Sequence, residues 1–369
     1  MLPSGLNEHF VLAVSWRNGV IGRFKISKNT SSEGRRIIGP HAQRASAGGL
    51  HLTLAFAVAA AFALGCGPAA AQNWPARPVT FIVPFPAGGG TDAFARPLAA
   101  QLDKQLGVRI LIDNRGGAGG TIGASAKAEA NGYNFFVGAA HHTIAPSIFL
   151  ELDYDLEKDF IPVAVIAAPP QVIVVNPAKV EAKTLAELIT WLKANPGKMD
   201  YASAGRGTTH QLAGELFNIL AGTTMNHVPY RGAGPAMQDL IAGHVPIMFD
   251  GLGSSANQIQ GGVLRGLALA APARSAAIPD VPTSAEAGLK GFEVSTWYAL
   301  FAPKGTPPEI IEKMQVEVRK ALDTDTLKEI WAKNGSATPT LMGAEFGKFV
   351  NSEIKRWADV VQKAGIKPE

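Results

Sequence analysis

The stretch that most constrains the fold runs from Val79 to Ala100, VTFIVPFPAGGGTDAFARPLAA. Its first five residues are a continuous apolar run rich in β-branched and aromatic side chains, which predicts a strand buried on both faces. Two prolines and three consecutive glycines, Gly88 to Gly90, then predict a tight turn with exposed backbone N–H groups. Thr91 or Asp92 is the predicted N-cap of a helix that continues to Leu106. A glycine-rich turn between a strand and a helix N-terminus is suited to an anion.

The turn does not match the two common phosphate-binding motifs. No Gly-Lys-Ser/Thr follows the glycines, and Arg96 and Pro97 stand where a dinucleotide-binding fingerprint needs a third glycine. Asp92 beside the turn also disfavours a doubly charged phosphate. The favoured anion is a carboxylate held by backbone amides, and the alternative is an ordinary strand-to-helix turn without a ligand.

The remainder of the chain alternates predicted strands and helices, which indicates a mostly parallel sheet with right-handed crossovers. Predicted strands at 108–112 and 133–138 end in a glycine-dense turn and in His141-His142-Thr143, at the sheet edge where α/β proteins bind ligands. A later turn, Ser203 to Thr208, again combines small residues with hydroxyl groups. Because about ten strands exceed one modest sheet, we predict two sheets around a cleft, joined by extended crossings near 171–176 and 294–302.

Residues 1–71 have the composition of an export signal. Basic residues precede an apolar run from Leu50 to Leu64, which is too short to span a bilayer, and Ala69 to Ala71 supply an Ala-x-Ala site. We therefore expect cleavage near Ala71 and a periplasmic protein.

The same leader carries the positive charge of the chain. It holds seven Lys or Arg and two Asp or Glu, and subtracting these from the totals of 34 and 30 leaves 27 basic and 28 acidic residues in 72–369. The remainder therefore has a net charge of −1. This balance excludes nucleic acid as a partner.

Metal binding and hydrolysis are the other chemistries that the residues suggest. His141 and His142 lack a neighbouring carboxylate or cysteine to complete a metal set, so we predict no metal and no cofactor. His142 is instead a candidate ligand contact. Ser203 is the candidate nucleophile of an exported hydrolase of carboxylic esters, but Ser-Ala-Gly is not a Gly-x-Ser-x-Gly elbow. The loops also lack paired catalytic carboxylates, so we predict a protein that is not an enzyme.

Several segments resemble the receptors of tripartite tricarboxylate transporters, also called the Bug family. They are PFPAGGGTD at 84–92, NRGGAGG at 114–120, YASAGRGT at 201–208, HQLAGELF at 210–217, HVPYRG at 227–232 and Phe249-Asp250. The segments follow one another in the order of the family, and the resemblance covers essentially all of 74–369.

This resemblance implies a fold of the α/β class, the two-lobed type II periplasmic-binding-protein fold. Such a fold has two mixed, mostly parallel sheets that are flanked by helices and joined by two crossover strands. The implied division is a leader at 1–71, one lobe formed by 72–174 plus 298–369, and a second lobe formed by 175–297.

The resemblance also implies a function, that of a monomeric receptor which closes on a small organic carboxylate. The receptor would deliver this ligand to a membrane permease of the same transporter type, or alternatively to a sensor kinase. The implied ligand contacts lie in the two glycine-containing loops and at two further strand ends. With His142 added, the predicted site consists of Phe85, Ala87, Gly88, Gly89, Thr91, Asp92, His142, Thr143, Ser203, Ala204, Gly205, Gly207, Thr208 and Asp250.

Overall fold

The computed structural model describes residues 74–125, 129–363 and 366–368, and the predicted export signal lies outside these residues. In chain order the strands are β1 (Val79–Val83), β2 (Ile110–Asn114), β3 (Asn134–Ala139), β4 (Phe160–Ala167), β5 (Gln171–Val175), β6 (Asp200–Ser203), β7 (Asn226–Pro229), β8 (Ile247–Gly251), β9 (Arg265–Leu269) and β10 (Tyr298–Pro303). The helices are α1 (Gly90–Leu106), α2 (Thr121–Ser125), α3 (His141–Ile148), α4 (Leu185–Ala194), α5 (Thr209–Ala221), α6 (Ala233–Ala242), α7 (Leu252–Gln260), α8 (Pro308–Leu322), α9 (Asp325–Lys333) and α10 (Gly343–Lys363).

The strands form two five-stranded sheets, ordered β2-β1-β3-β10-β4 and β7-β6-β8-β5-β9. In the first sheet β1 pairs in parallel with β2 and β3, and β10 runs antiparallel between β3 and β4. In the second sheet β6 pairs in parallel with β7 and β8, and β5 runs antiparallel between β8 and β9. The prediction of two mixed sheets flanked by helices is confirmed. We call the first sheet with its helices α1–α3 and α8–α10 the first lobe, and the second sheet with α4–α7 the second lobe.

Two short extended segments connect the sheets, one between β4 and β5 and one before β10. They pair with each other, since Thr296 N–H donates to the carbonyl of Pro169 at 3.2 Å and Pro170 forms an antiparallel bridge with Ser295. The crossings adjoin the predicted positions near 171–176 and 294–302. We propose that the lobes divide at this paired crossing, close to the boundaries at 174/175 and 297/298 that the sequence suggested.

Each sheet has its own apolar core. Phe81, Phe135 and Phe301 are fully buried around the first sheet, and Tyr201 and Phe249 around the second. Buried apolar area is the main favourable term in folding, and one apolar cluster also joins the lobes, since Ile144 and Trp357 of the first-lobe helices belong to the same buried cluster as Tyr201 and Phe249. Within the described ranges, none of the helices combines the length and the hydropathy needed to cross a bilayer.

Candidate functional site

The loops that follow β1 and β6 lie at the contact between the two lobes. A methyl group added at Gly234, in the first turn of α6, would overlap the carbonyl oxygen of Ala87 in the first lobe. A methyl group at Gly119 would likewise overlap the carbonyl oxygen of Arg206 in the second lobe. Backbones that approach so closely leave no room for a side chain. The structure therefore shows the lobes closed, with both predicted loops at their junction.

Asp92 holds the first loop in position. Its carboxylate accepts hydrogen bonds from Gly88 N–H at 3.1 Å, Arg96 Nε at 2.7 Å and Asn114 Nδ2 at 3.2 Å. The predicted N-cap at Thr91 or Asp92 is wrong, because α1 begins at Gly90 and its N-cap is Gly89. The glycine turn provides the extended cap conformation without a side chain, and Asp92 reaches back from the first helical turn instead. We therefore regard Asp92 as a positioning residue of the loop.

The N–H groups at the start of α1 remain for a ligand. The first N–H groups of any α-helix have no acceptor within that helix, and those of α1 begin at Gly90, directly after Gly89, which lies against Ala233 and Gly234 of the second lobe. Phe85 closes one side of this loop: it is buried, and its ring meets the edge of the His141 ring at 5.3 Å. A carboxylate bound at this position would accept hydrogen bonds from neutral N–H groups and would lie against the apolar ring of Phe85.

The second loop is held by its own side chains. Ser203 Oγ accepts the N–H of Gly205 at 3.0 Å, and Thr208 Oγ1 donates to the carbonyl of Gly205 at 2.6 Å. Thr208 is also the N-cap of α5 and accepts from Gln211 N–H. The two hydroxyl groups that the sequence analysis assigned to the ligand thus shape the loop. Gly205 and Gly207 lie against Gly119 and Phe149 of the first lobe.

Ser203 also lies 2.6 Å from His227 Nε2, a contact that the sequence analysis missed. The two residues are 24 positions apart, and parallel pairing of β6 with β7 brings them together. The serine is fully buried, and the histidine ring stacks on Tyr201 at 5.1 Å. Burial, and to a smaller extent the Arg206 charge, lowers the pKa of His227 to about 4. The contact between Ser203 and His227 therefore helps to hold the second loop in position.

The adjacent histidines at the start of α3 make different contacts. His142 Nδ1 accepts Ala139 N–H at 2.9 Å, and its Nε2 lies 3.3 Å from the carbonyl of Gly120, so this ring joins two loops of the first lobe. His141 faces the other lobe, where its Nδ1 accepts Thr209 N–H at 3.1 Å. The sequence analysis selected His142 as the ligand contact, whereas His141 is the ring that lies against the start of α5. Burial lowers the pKa of His142 to about 4 and that of His141 well below 6.5, so both rings are neutral at pH 7.

Two more buried polar side chains lie at the same junction. His210 Nε2, in the first turn of α5, is 3.9 Å from Asp250 Oδ1 at the end of β8. Ser254 Oγ donates to the other carboxylate oxygen at 2.7 Å. Burial raises the pKa of Asp250 to about 7 and lowers that of His210 to about 3. Asp250 was predicted as a site residue and His210 was not.

The other predicted contacts, Thr91, Thr143 and Ala204, are all buried, and Thr143 donates from Oγ1 to the carbonyl of Ala140 at 2.7 Å. Thr143 therefore stabilises the start of α3, which carries His141. Among the residues that the structure describes, no three His, Cys, Asp or Glu side chains are gathered as a metal site would require.

Replacing Asp92 by alanine is expected to loosen the first loop. Three donors lose their shared acceptor, and hydrogen bonds to a charged group are worth about 1.5–3 kcal/mol each, so we expect unfolding to become easier by roughly 2 kcal/mol and ligand affinity to fall about tenfold. Urea unfolding and titration calorimetry measure the two effects. Asp113→Ala is the control, since Asp113 forms a partly exposed ion pair with Arg115 and should cost less than about 0.5 kcal/mol. Equal behaviour of the two variants would contradict the role given to Asp92.

The chain has two lobes, each with a mixed sheet, and a paired crossing joins them. The lobes are closed on loops at which helices begin. This arrangement defines a two-lobed solute-binding protein. The family model described as tripartite tricarboxylate transporter family receptor matches residues 94–366. The chain belongs to this family, and the family resemblance predicted from its motifs is confirmed. It is a solute-binding receptor by family.

Individual relatives agree with this assignment. Protein BugT of Bordetella pertussis is 38% identical over 326 residues, which cover 86% of this chain and 99% of that protein. A Rhodopseudomonas palustris protein solved with adipate is 35% identical, with a TM-score of 0.77, over 80% of this chain and all (100%) of that one. MatC from Rhodopseudomonas palustris, solved with bound malate, is 36% identical, with a TM-score of 0.73, over 78% of this chain and 100% of that one. The two-lobed fold predicted for the chain is thereby confirmed.

Proposed function

We propose that this protein is a periplasmic receptor that captures a small organic carboxylate between its lobes without converting it. The receptor then delivers the ligand to the permease of a tripartite tricarboxylate-type transporter. The observation that carries the proposal is that the loops before α1 and α5 each lie against the opposite lobe, seen in the closeness of Ala87 to Gly234 and of Arg206 to Gly119. A ligand held by both loops binds the closed state more tightly than the open state and so drives closure.

The charge at the junction fits a singly charged carboxylate group. The helix macrodipole places about half a positive charge at the N-termini of α1 and α5, and the amides there are neutral donors. Hydrogen bonds from such donors to an ion are worth roughly 1.5–3 kcal/mol each, which gives binding without a fixed cation. The histidines at the junction are neutral at pH 7, so they contribute no positive charge to the binding of the carboxylate.

The relatives support the same ligand class. Adipate and malate, the molecules bound in the two related structures, are both dicarboxylates. We propose that the carboxylate contacts are the amides at the start of α1 and the N–H of His210 in α5, because the N–H groups of Thr209 and Gln211 bond to His141 and Thr208. The other predicted residues shape the two loops.

The leader completes the proposal. We propose that residues 1–71 direct export and are removed near Ala71, which would leave a monomeric periplasmic receptor. N-terminal sequencing of the protein recovered from the periplasmic fraction checks the cleavage position. A sensor kinase is the alternative recipient of the same liganded form, and co-purification of the liganded protein with each candidate membrane partner distinguishes the two.

A melting-temperature screen against mono-, di-, tri- and aromatic carboxylates tests the receptor function. A ligand that binds only the folded state stabilises it by about 2.7 kcal/mol at a hundredfold excess over its dissociation constant. We expect selective stabilisation by at least one carboxylate, which is recovered unchanged.

The hydrolase alternative makes the opposite prediction for Ser203. If the 2.6 Å contact with His227 served catalysis, the protein would cleave a panel of carboxylic esters and Ser203→Ala would abolish cleavage. The receptor proposal expects no ester cleavage, and a weaker affinity in Ser203→Ala because the second loop loses its brace. Ester turnover without carboxylate binding would overturn the receptor proposal.

A further inference from the structure

A buried carboxylate and a buried imidazole face each other at the lobe junction without meeting. Asp250 and His210 have 0% and 2% of their surface exposed. Both ring nitrogens of His210 and Oδ1 of Asp250 have no hydrogen-bond partner in the described part of the chain, although Ser255 and the Gly251 N–H lie close enough to the Asp250 carboxylate to favour its ionised form. The 3.9 Å between Nε2 and Oδ1 is too long for a direct hydrogen bond. A buried polar atom without a partner costs about 1–3 kcal/mol, so three such atoms at one place indicate a group that is supplied from outside.

Asp250 and His210 lie close to residues of both lobes. A methyl carbon placed on Gly251 would lie 3.3 Å from the hydroxyl of Tyr298, 3.2 Å from Thr296 Cγ2 and 3.9 Å from His210 Nε2. A methyl group on Gly90 would overlap the same tyrosine hydroxyl. The Tyr298 hydroxyl and His210 Nε2 therefore lie near one another, beside the start of α1 in the first lobe and the starts of α5 and α7 in the second.

The chemistry of the pair selects the group that would fit between them. One atom placed about 2.8 Å from both Nε2 and Oδ1 could bond to each of them, since 3.9 Å separates the two. Asp250 Oδ1 requires a donor when ionised, and Nε2 of a neutral imidazole presents either an N–H that requires an acceptor or a lone pair that requires a donor. A hydroxyl group is both a donor and an acceptor and fits either tautomer, whereas an ammonium group only donates and fits one of them.

We propose that His210 and Asp250 bind a hydroxyl substituent of the ligand, so that the substrates of this receptor are hydroxycarboxylates. The proposal rests on the proposed function, because the carboxylate group of the same ligand occupies the amides of the glycine loops. The second loop follows β6, and Asp250 ends the neighbouring strand β8. Adjacent strands are about 4.8 Å apart, so the hydroxyl lies within one or two carbon atoms of that carboxylate.

Ligand sets that differ in one substituent test this assignment on the purified protein. Lactate, alanine and propionate carry a hydroxyl, an ammonium group or hydrogen at one carbon, as do malate, aspartate and succinate. Titration calorimetry is expected to show that in the set of the right length the hydroxy acid binds at least about tenfold more tightly than the unsubstituted acid. Asp250→Ala should reduce that preference to about twofold or less.

Asp280→Ala is the matched control, because Asp280 is exposed in the same lobe and should leave the preference intact. His210→Leu is the second variant if Asp250→Ala does not fold, and it should abolish the preference in the same way. Equal binding of the hydroxy and unsubstituted acids by the unmodified protein would overturn this subsite while the receptor function stands. Tighter binding of the amino acid would assign an ammonium group there and overturn the hydroxyl. Failure of all carboxylates to bind would overturn the proposed function itself and this inference with it.

Discussion

Lowering the pH from 8 to 5 is expected to cost this protein several kcal/mol of unfolding free energy, and more at pH 4. The cause is four histidines whose folded pKa values are lowered by burial: to about 3 for His210, to about 4 for His142 and His227, and well below 6.5 for His141. Between about pH 4 and 6.5 the unfolded chain binds protons that the folded protein excludes, so stability falls as the pH falls. Losses of this size approach the total stability of an ordinary domain, about 5–15 kcal/mol.

Asp250 opposes part of this loss. Its folded pKa is raised to about 7, so between about pH 4 and 7 the folded state holds a proton that the unfolded state has released. This carboxyl therefore favours folding as the pH falls through 7, by up to about 1.4 kcal/mol per pH unit, and each histidine acts in the other direction by a similar slope. The expected loss is the net effect of the four histidines and this one acid.

Urea unfolding at a series of pH values measures the effect. His210→Gln should reduce the slope between pH 5 and 6.5 by about 1.4 kcal/mol per pH unit, because one excluded proton is removed. His244→Gln is the control, since the side chain of His244 is 71% exposed, and it should leave the curve unchanged. A stability that is constant from pH 8 to 5 would contradict the burial of these rings as neutral groups.

The local features of the fold were predictable because they depend on neighbouring residues. The apolar run Val79–Val83 and the glycines after it are enough to predict a strand, a turn and a helix, and the structure has β1 and α1 there. The repetition of strand and helix predicted a mostly parallel arrangement, the number of strands predicted two sheets, and the family resemblance implied that the sheets are mixed. Only the first helical residue was misplaced, because the glycine turn caps the helix without a side chain and Asp92 reaches backwards.

The roles of individual side chains at the junction were harder to predict because they depend on distant partners. Ser203 meets His227 only through the register of β6 with β7, and no local pattern contains that register. His141 and His142 are adjacent, yet one faces the second lobe and the other its own lobe. Which lobe each ring faces follows from the direction of α3, and the dipeptide His-His alone does not show that direction.

Several predicted site residues hold the loops in position. Asp92, Thr143 and Thr208 each bond to backbone within their own loop or helix start. Hydrogen bonds of this kind fix the direction of the loop amides before the ligand arrives, which reduces the ordering cost of binding. A ligand site made chiefly of backbone therefore depends on polar side chains that the ligand never touches.

Replacing Gly234 by alanine is expected to weaken ligand binding by about a hundredfold or more while the unliganded protein keeps its stability. The added methyl group would overlap the carbonyl oxygen of Ala87 and lie 3.3 Å from Gly89 N, both in the opposite lobe. The lobes could then not reach the closed arrangement in which both loops contact one ligand. Within α6 itself the change is favourable, since alanine in a helix interior is better than glycine by about 1 kcal/mol.

The matched control for Gly234→Ala is Gly347→Ala, which also places alanine in a helix but meets only Pro162 Cγ, at an ordinary 3.6 Å. It should leave the affinity unchanged. Titration calorimetry gives the affinities, and small-angle scattering with and without ligand shows whether the protein still becomes more compact on binding. We expect compaction in the unmodified protein and in Gly347→Ala, and none in Gly234→Ala. An affinity of Gly234→Ala within about threefold of the unmodified protein would show that binding does not require the close approach of α6 to the first glycine loop, and the site would then have to lie within one lobe.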